Sequence, residues 1–104
     1  MKTVLATLAA ALLAVSGSAS AEHIQTTEIS QLSAYQSGST HFVWLSTGVS
    51  AECQATNPSN PVLAFDESQV GGKGLLALIT SALINKRQVS VRISGCTITE
   101  IYLR

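Results

Sequence analysis

The chain has 104 residues, of which 46% are hydrophobic, 12% charged and 5% aromatic, and its formal net charge is zero. That length leaves room for one ordinary domain, and the composition is too apolar and too weakly charged for a disordered polyelectrolyte. Balanced Lys+Arg and Asp+Glu give no electrostatic reason to expect nucleic acid or another polyphosphate as partner, and two His and two Cys set far apart leave little material for a metal or cofactor site.

Residues 1–21 read as a secretory signal peptide. Lys2 supplies the positive start, Val4 to Val15 is apolar apart from Thr7, and Ser16-Gly17-Ser18 relaxes the helix. Ala19-Ser20-Ala21 then offers the small-x-small pattern that a signal peptidase pocket admits, so cleavage is expected after Ala21. The apolar run is about a dozen residues, short of the roughly 20 that span a bilayer, so no stable membrane insertion is expected after cleavage. No Cys follows it, so no lipid anchor is expected either. The short charged start and Ala/Leu-rich body are of bacterial type, an address to the periplasm or beyond. The remaining domain, residues 22–104, sets Lys73, Lys86, Arg87, Arg92 and Arg104 against Glu22, Glu28, Glu52, Asp66, Glu67 and Glu100. A domain of this size buries only about 60% of its unfolded surface and is marginal without a staple.

From Glu22 to Tyr35 the apolar residues are Ile24, Ile29, Leu32 and Tyr35. Their parity shifts between Ile24 and Ile29, which predicts a long strand with a bulge. Gln36-Ser37-Gly38-Ser39 signals a turn, and His41 to Leu45 is dense in β-formers, the second strand of a hairpin. Ser46 to Pro61 reads as a loop containing Cys53. Val62 to Phe65 is a short apolar run whose start Pro61 marks, a third strand.

Gly71-Gly72-Lys73-Gly74 reads as a flexible lead into a helix that starts at Gly72 or Leu75 and ends at Asn85. Leu75, Leu78, Ile79, Ala82 and Leu83 form its apolar stripe. A helix this short and apolar is unstable by itself and must pack on a sheet or across a barrel end. Asn85 suits the left-handed residue that stops a helix, and Lys86-Arg87 suit its negative end. Gln88 to Ser94 alternates cleanly, with Val89, Val91 and Ile93 on one face. Gly95-Cys96 makes a turn into a last strand, Thr97 to Leu103, with Ile101 and Leu103 facing one way. The expected architecture is mainly β with one helix, in the order strand, strand, strand, helix, strand, strand: a five-stranded OB-fold-like barrel, whose closure removes exposed edges.

Cys53 and Cys96 are the only cysteines, and export places them where disulfides persist. No C-x-x-C occurs and both His are remote, which weakens metal and redox readings; a structural disulfide is expected.

The stretch Leu75–Asn85, Lys86-Arg87, Val89–Ile93, Gly95-Cys96 and Ile98–Leu103 resembles small exported bacterial proteins, the OB-fold B subunits of AB-type toxins of the subtilase-cytotoxin and pertussis-like sort. The likeness covers the last third of the chain, and strand order alone carries the rest. It implies an OB barrel with one disulfide and a homo-oligomeric ring binding host glycans. No glycan-contact residue matches position by position, and fold analogy does not transfer function.

Among candidate sites, Gly71–Gly74 lacks the pattern of a phosphate loop, since Gly74 stands where Ser or Thr is required after the Lys. His23 lies beside the expected new N-terminus, and His41, the best-placed base, reads as an ordinary hairpin residue. Asp66-Glu67 read as acids at the start of the helix, their side chains pointing apart. No G-x-S-x-G or other local catalytic motif occurs, so no enzyme is expected. Tyr35 and Trp44 are the candidate ligand contacts, with rings that suit stacking on a sugar or a partner side chain; the ordinary alternative packs Trp44 against the helix in the core. These residues point to a non-enzymatic exported module binding a glycan or a protein. The alternative is a small periplasmic inhibitor or envelope-stress protein of mixed α/β fold, using Ser46–Asn60 as its contact.

Overall fold

In the computed structural model, which describes residues 22–104, strand β1 (Glu22–Leu32) runs first beside β4 (Gln88–Ser94) and then beside β2 (Thr40–Leu45), antiparallel to both. The expected signal peptide, residues 1–21, lies outside the described residues. β1 serves two neighbours because it bends. Its register shifts between Ile24 and Thr27 and again between Ile29 and Gln31, the irregularity that the parity of Ile24 and Ile29 anticipates. An extra residue bends the bulged strand and leaves backbone groups without ladder partners. Here the buried Ser90 hydroxyl donates to the Gln25 carbonyl and accepts from Arg104 Nη1 at 3.1 Å.

β3 (Leu63–Asp66) pairs with β2 from Thr40↔Asp66 to Val43↔Leu63, and β5 (Thr97–Leu103) pairs with β4, both antiparallel. β3 and β5 run parallel and meet at the pair Ala64↔Thr97, where Ala64 N donates to Cys96 O at 2.9 Å. The five strands thereby close into a ring in the order β1-β2-β3-β5-β4. β-Branched and aromatic residues fill its inner face, among them Val43, Phe65, Val89, Val91, Ile93 and Ile98, each at most 2% exposed. The main helix, α2 (Gly72–Asn85), follows β3 and buries Ile79 and Ala82 against the same core. The mainly-β character, the single main helix and the Cys53–Cys96 disulfide agree with expectation.

The element order does not. The segment expected as loop contains a short helix, α1 (Ala51–Thr56), between β2 and β3. Ser50 caps it, its hydroxyl accepting from Cys53 N at 3.1 Å, and the chain leaves it at Asn57-Pro58. A Ser before Ala-Glu and a Pro after the last turn are helix boundaries in the sequence. They frame too few residues for a helix to hold by itself, and the disulfide at Cys53 supplies the missing support.

Four finer expectations change. The inner stripe of α2 is Gly72, Leu75, Leu76, Ile79, Ala82 and Leu83, whereas Leu78 is 37% exposed. Leu76 and Leu78 are both apolar, so periodicity leaves the rotation of the helix open. Gly72 to Gly74 form the first turn of α2 rather than a flexible lead. The left-handed residue is Lys86, at φ 53°, while Asn85 remains helical and its side-chain amide donates to Ser81 O at 2.9 Å. In β5 the register slips opposite Arg92 and Ile93, so Ile98 and Ile101 are buried and Leu103 is 37% exposed. Among the described residues, no helix is long and apolar enough to cross a membrane.

Candidate functional site

Strand β2 alternates strictly. His41, Val43 and Leu45 point into the ring and are buried, which turns Phe42 and Trp44 outward. Trp44 therefore does not plug the core against α2, the ordinary reading of a lone Trp; it lies 36% exposed on the outer face. Tyr35, in the loop between β1 and β2, is 52% exposed and meets Phe42 edge-on, with ring centroids 5.8 Å apart. The two candidate contacts are thus not in one pocket: Phe42 stands between them, two residues before Trp44 on the same face. The three rings make an aromatic strip along the hairpin. Phe42 was legible as part of it, because alternation with His41 and Val43 puts it on the side of Trp44.

Beyond Trp44 the strip opens on a cavity of about 230 Å3, walled by Ser30 and Gln31 of β1, Gly48 and Val49, and Pro61 and Val62. Among the described residues, no charged side chain lines it. Ser30 Oγ donates to Trp44 O at 3.1 Å, which fixes the hydroxyl while leaving an acceptor lone pair. Such a wall can stack a ring face and exchange hydrogen bonds with neutral polar groups. It has nothing with which to neutralise an ion. A second cavity, about 490 Å3, lies where β3 and β5 part company, between Phe65, Asp66, Leu75 and Thr97–Thr99.

The loop beside the Trp44 cavity is held at several points. Cys53, fully buried, is bonded to Cys96. Glu52 Oε2 accepts from Gly95 N at 3.0 Å, and the Glu22 carboxylate accepts from the Ser50 hydroxyl and from Glu52 N at 3.1 Å. The Ser50 hydrogen bond is the chief reason the Glu22 carboxyl lies below its usual range, against a smaller opposing effect of burial.

His41 is not free to act as a base. Its ring is 6% exposed and stacked on Phe65, with centroids 5.1 Å apart; Nδ1 lies 2.9 Å from Ser33 O and Nε2 lies 2.5 Å from Glu67 Oε1. Asp66 and Glu67 take different partners, and neither belongs to the first turn of α2. Asp66 Oδ1 accepts from Ser39 Oγ at 2.6 Å and from Ser68 N and Oγ at 2.9 and 2.7 Å, while Glu67 also takes Lys73 Nζ at 3.2 Å. His23 is exposed, its ring centroid 6.5 Å from that of Tyr102 in an edge-on arrangement. Among the described residues, no group of three His, Cys, Asp or Glu is placed to hold a metal.

These contacts set opposite pH limits. The Glu67 hydrogen bond raises the His41 pKa above 6.5, overcoming the effect of burial. The Asp66 carboxyl is lowered from 3.8, chiefly by Ser39, and that of Glu67 from 4.5, chiefly by His41. A raised His pKa gives stability that is complete below 6.5 and lost as pH rises through the folded-state value; lowered carboxyl pKa values give stability present above 4.5 and lost as pH falls through theirs. The melting temperature should therefore peak between these limits and fall on both sides. A thermal scan across pH checks this, and a melting temperature still climbing above neutrality would contradict it. The chain matches no family model, no curated protein and no solved structure.

Proposed function

We propose that the protein is an exported, non-enzymatic binding module, an OB-type barrel taking a glycan or protein ligand on the outer face of its β1–β2 hairpin. The ring order and the helix between β3 and β4 support the OB reading. In such barrels the face of the second and third strands and the loops between strands one and two and between four and five bind ligands. Tyr35 occupies the first of those loops, and Phe42 and Trp44 line the face. The observation that carries the reading is this exposed aromatic strip leading into an uncharged cavity. A disulfide suits an oxidising compartment, hence export. His41 keeps no ring nitrogen free for a substrate, which favours binding over catalysis.

The test is a glycan array, followed by calorimetry on any hit. Trp44→Ala should weaken binding about tenfold or more, the scale of an aromatic hot spot, while the melting temperature stays put. Binding indifferent to Trp44, or no ligand on any array, would remove the reading. We propose further that the module forms a homo-oligomer through the exposed Leu78 and Ile84 of α2, which a size-exclusion run tests. The pinned segment Ser46–Asn60 favours the inhibitor alternative, since a preorganised loop loses little entropy on binding; a protease recovered from periplasmic extract on the immobilised protein would select it.

A further inference from the structure

We propose that His41 is a proton-operated latch, fastening the β1–β2 loop to the turn before α2 and freeing the Ser33 carbonyl, which loosens that end of the loop, when the ring loses a proton. The argument starts from donor and acceptor counts. Ser33 O is a carbonyl and Glu67 Oε1 belongs to a carboxylate, so each offers lone pairs alone. Both lie within hydrogen-bond distance of a ring nitrogen, at 2.9 and 2.5 Å. Both nitrogens must then donate, which requires the doubly protonated imidazolium. A buried cation persists only when paired, and Glu67 pairs it.

The surroundings make the two bonds unequal. From the loop the ring meets the uncharged Ser33 carbonyl. From β3 it meets the Phe65 ring, with Asp66 the next residue, turned to Ser39. From the turn before α2 it meets Glu67, whose second oxygen holds Lys73 of α2 at 3.2 Å. The proton on Nε2 stays, because an N–H bond to a charged carboxylate is stronger than one to a neutral carbonyl, so the proton lost is the one on Nδ1. A lone pair on Nδ1 then faces a lone pair on Ser33 O, and the contact turns from attractive to repulsive.

The far end of the loop does not depend on the proton. Glu67 N donates to Ser39 O at 3.0 Å and Ser39 Oγ to Asp66 Oδ1 at 2.6 Å. Ser33 itself keeps two bonds to β2, its N donating to Phe42 O at 2.9 Å and its hydroxyl accepting from Phe42 N at 3.1 Å. Loss of the proton therefore frees its carbonyl and leaves this Ser33–Phe42 pair alone to hold the start of the loop, beside the edge-on contact of Tyr35 with Phe42. The latch stands whether or not that strip binds a ligand, so its test contains none.

The experiment follows the His41 ring by NMR from about pH 5 to about pH 9, a span bracketing shifted histidines, with amide exchange of Ser33 and Phe42 corrected for intrinsic rate. Protection of the Ser33 and Phe42 amides, bonded to Phe42 O and to the Ser33 hydroxyl, should fall about tenfold, the equivalent of one hydrogen bond, with the same midpoint as the ring. Glu67→Gln removes the paired charge and should move both midpoints together to lower pH. His41→Gln, if it folds, should abolish the pH dependence of the loop. A ring that titrates while loop protection stays flat overturns the latch. So does a ring that stays neutral across the range, or a loop midpoint unmoved in Glu67→Gln.

Discussion

Replacing both cysteines, as Cys53→Ala with Cys96→Ala, is expected to cost about 4 kcal/mol, the chain-entropy value for a loop this long. The bridge closes 43 residues. Small domains hold only about 5–15 kcal/mol in total, so this single bond decides whether the ring survives at physiological temperature. Its position enlarges the effect. Cys96 begins at the turn before β5, and its carbonyl accepts from Ala64 N at the seam where β3 meets β5. Cys53 lies in α1, which is too short to persist unaided. Without the bridge, the loop beside Trp44 and the seam of the ring lose their common anchor. Urea denaturation of the double variant measures the cost, and a loss below about 1 kcal/mol would show that the denatured chain gains little freedom.

Gly72→Ala is the second large expected effect. A Cβ at Gly72 would stand 2.4 Å from Asp66 O and from Glu67 Cα, and 2.6 Å from Glu67 C. All three atoms are backbone, so no side chain can swing aside. The first turn of α2 has to lift away from the end of β3, and the helix takes Ile79 and Ala82, both fully buried, with it. Overpacking of this kind costs about 1–3 kcal/mol or more. The same shift strains Glu67 and Asp66, and with them the His41 contact. Gly74→Ala is the control: a Cβ there meets nothing within 4 Å, and Ala is the better helix former by up to about 1 kcal/mol. Thermal melts of the two variants should move in opposite directions. Equal shifts would show that the close approach of α2 to β3 does not matter.

The outer face of the β1–β2 hairpin was partly readable in the chain. Tyr35 and Trp44 stood out as aromatics in a hairpin, and alternation alone would have added Phe42. The cavity next to Trp44 was not readable, because it is walled by Ser30, Val49 and Pro61, which become neighbours only when β1, the middle loop and β3 are assembled. The His41 cluster was missed for the same reason: its partners lie 8 and 26 residues away, and a lone His beside Phe gives no local sign of two acceptors.

The sequence by itself determined the features that short-range periodicity and composition control. These are the end of α2 at Asn85, the alternation of β4, the bulge in β1 and the pairing of the only two cysteines. Each follows from side chains within a few residues of one another, or from there being no second choice. Tertiary structure alone decided the direction in which each element faces: Leu76 inward and Leu78 outward, Trp44 on the outer face, α1 held by a distant sulfur. Apolar residues on both sides of a helix satisfy the same pattern. Burial is a relation between segments, and only the closing of the ring fixes which side has a neighbour.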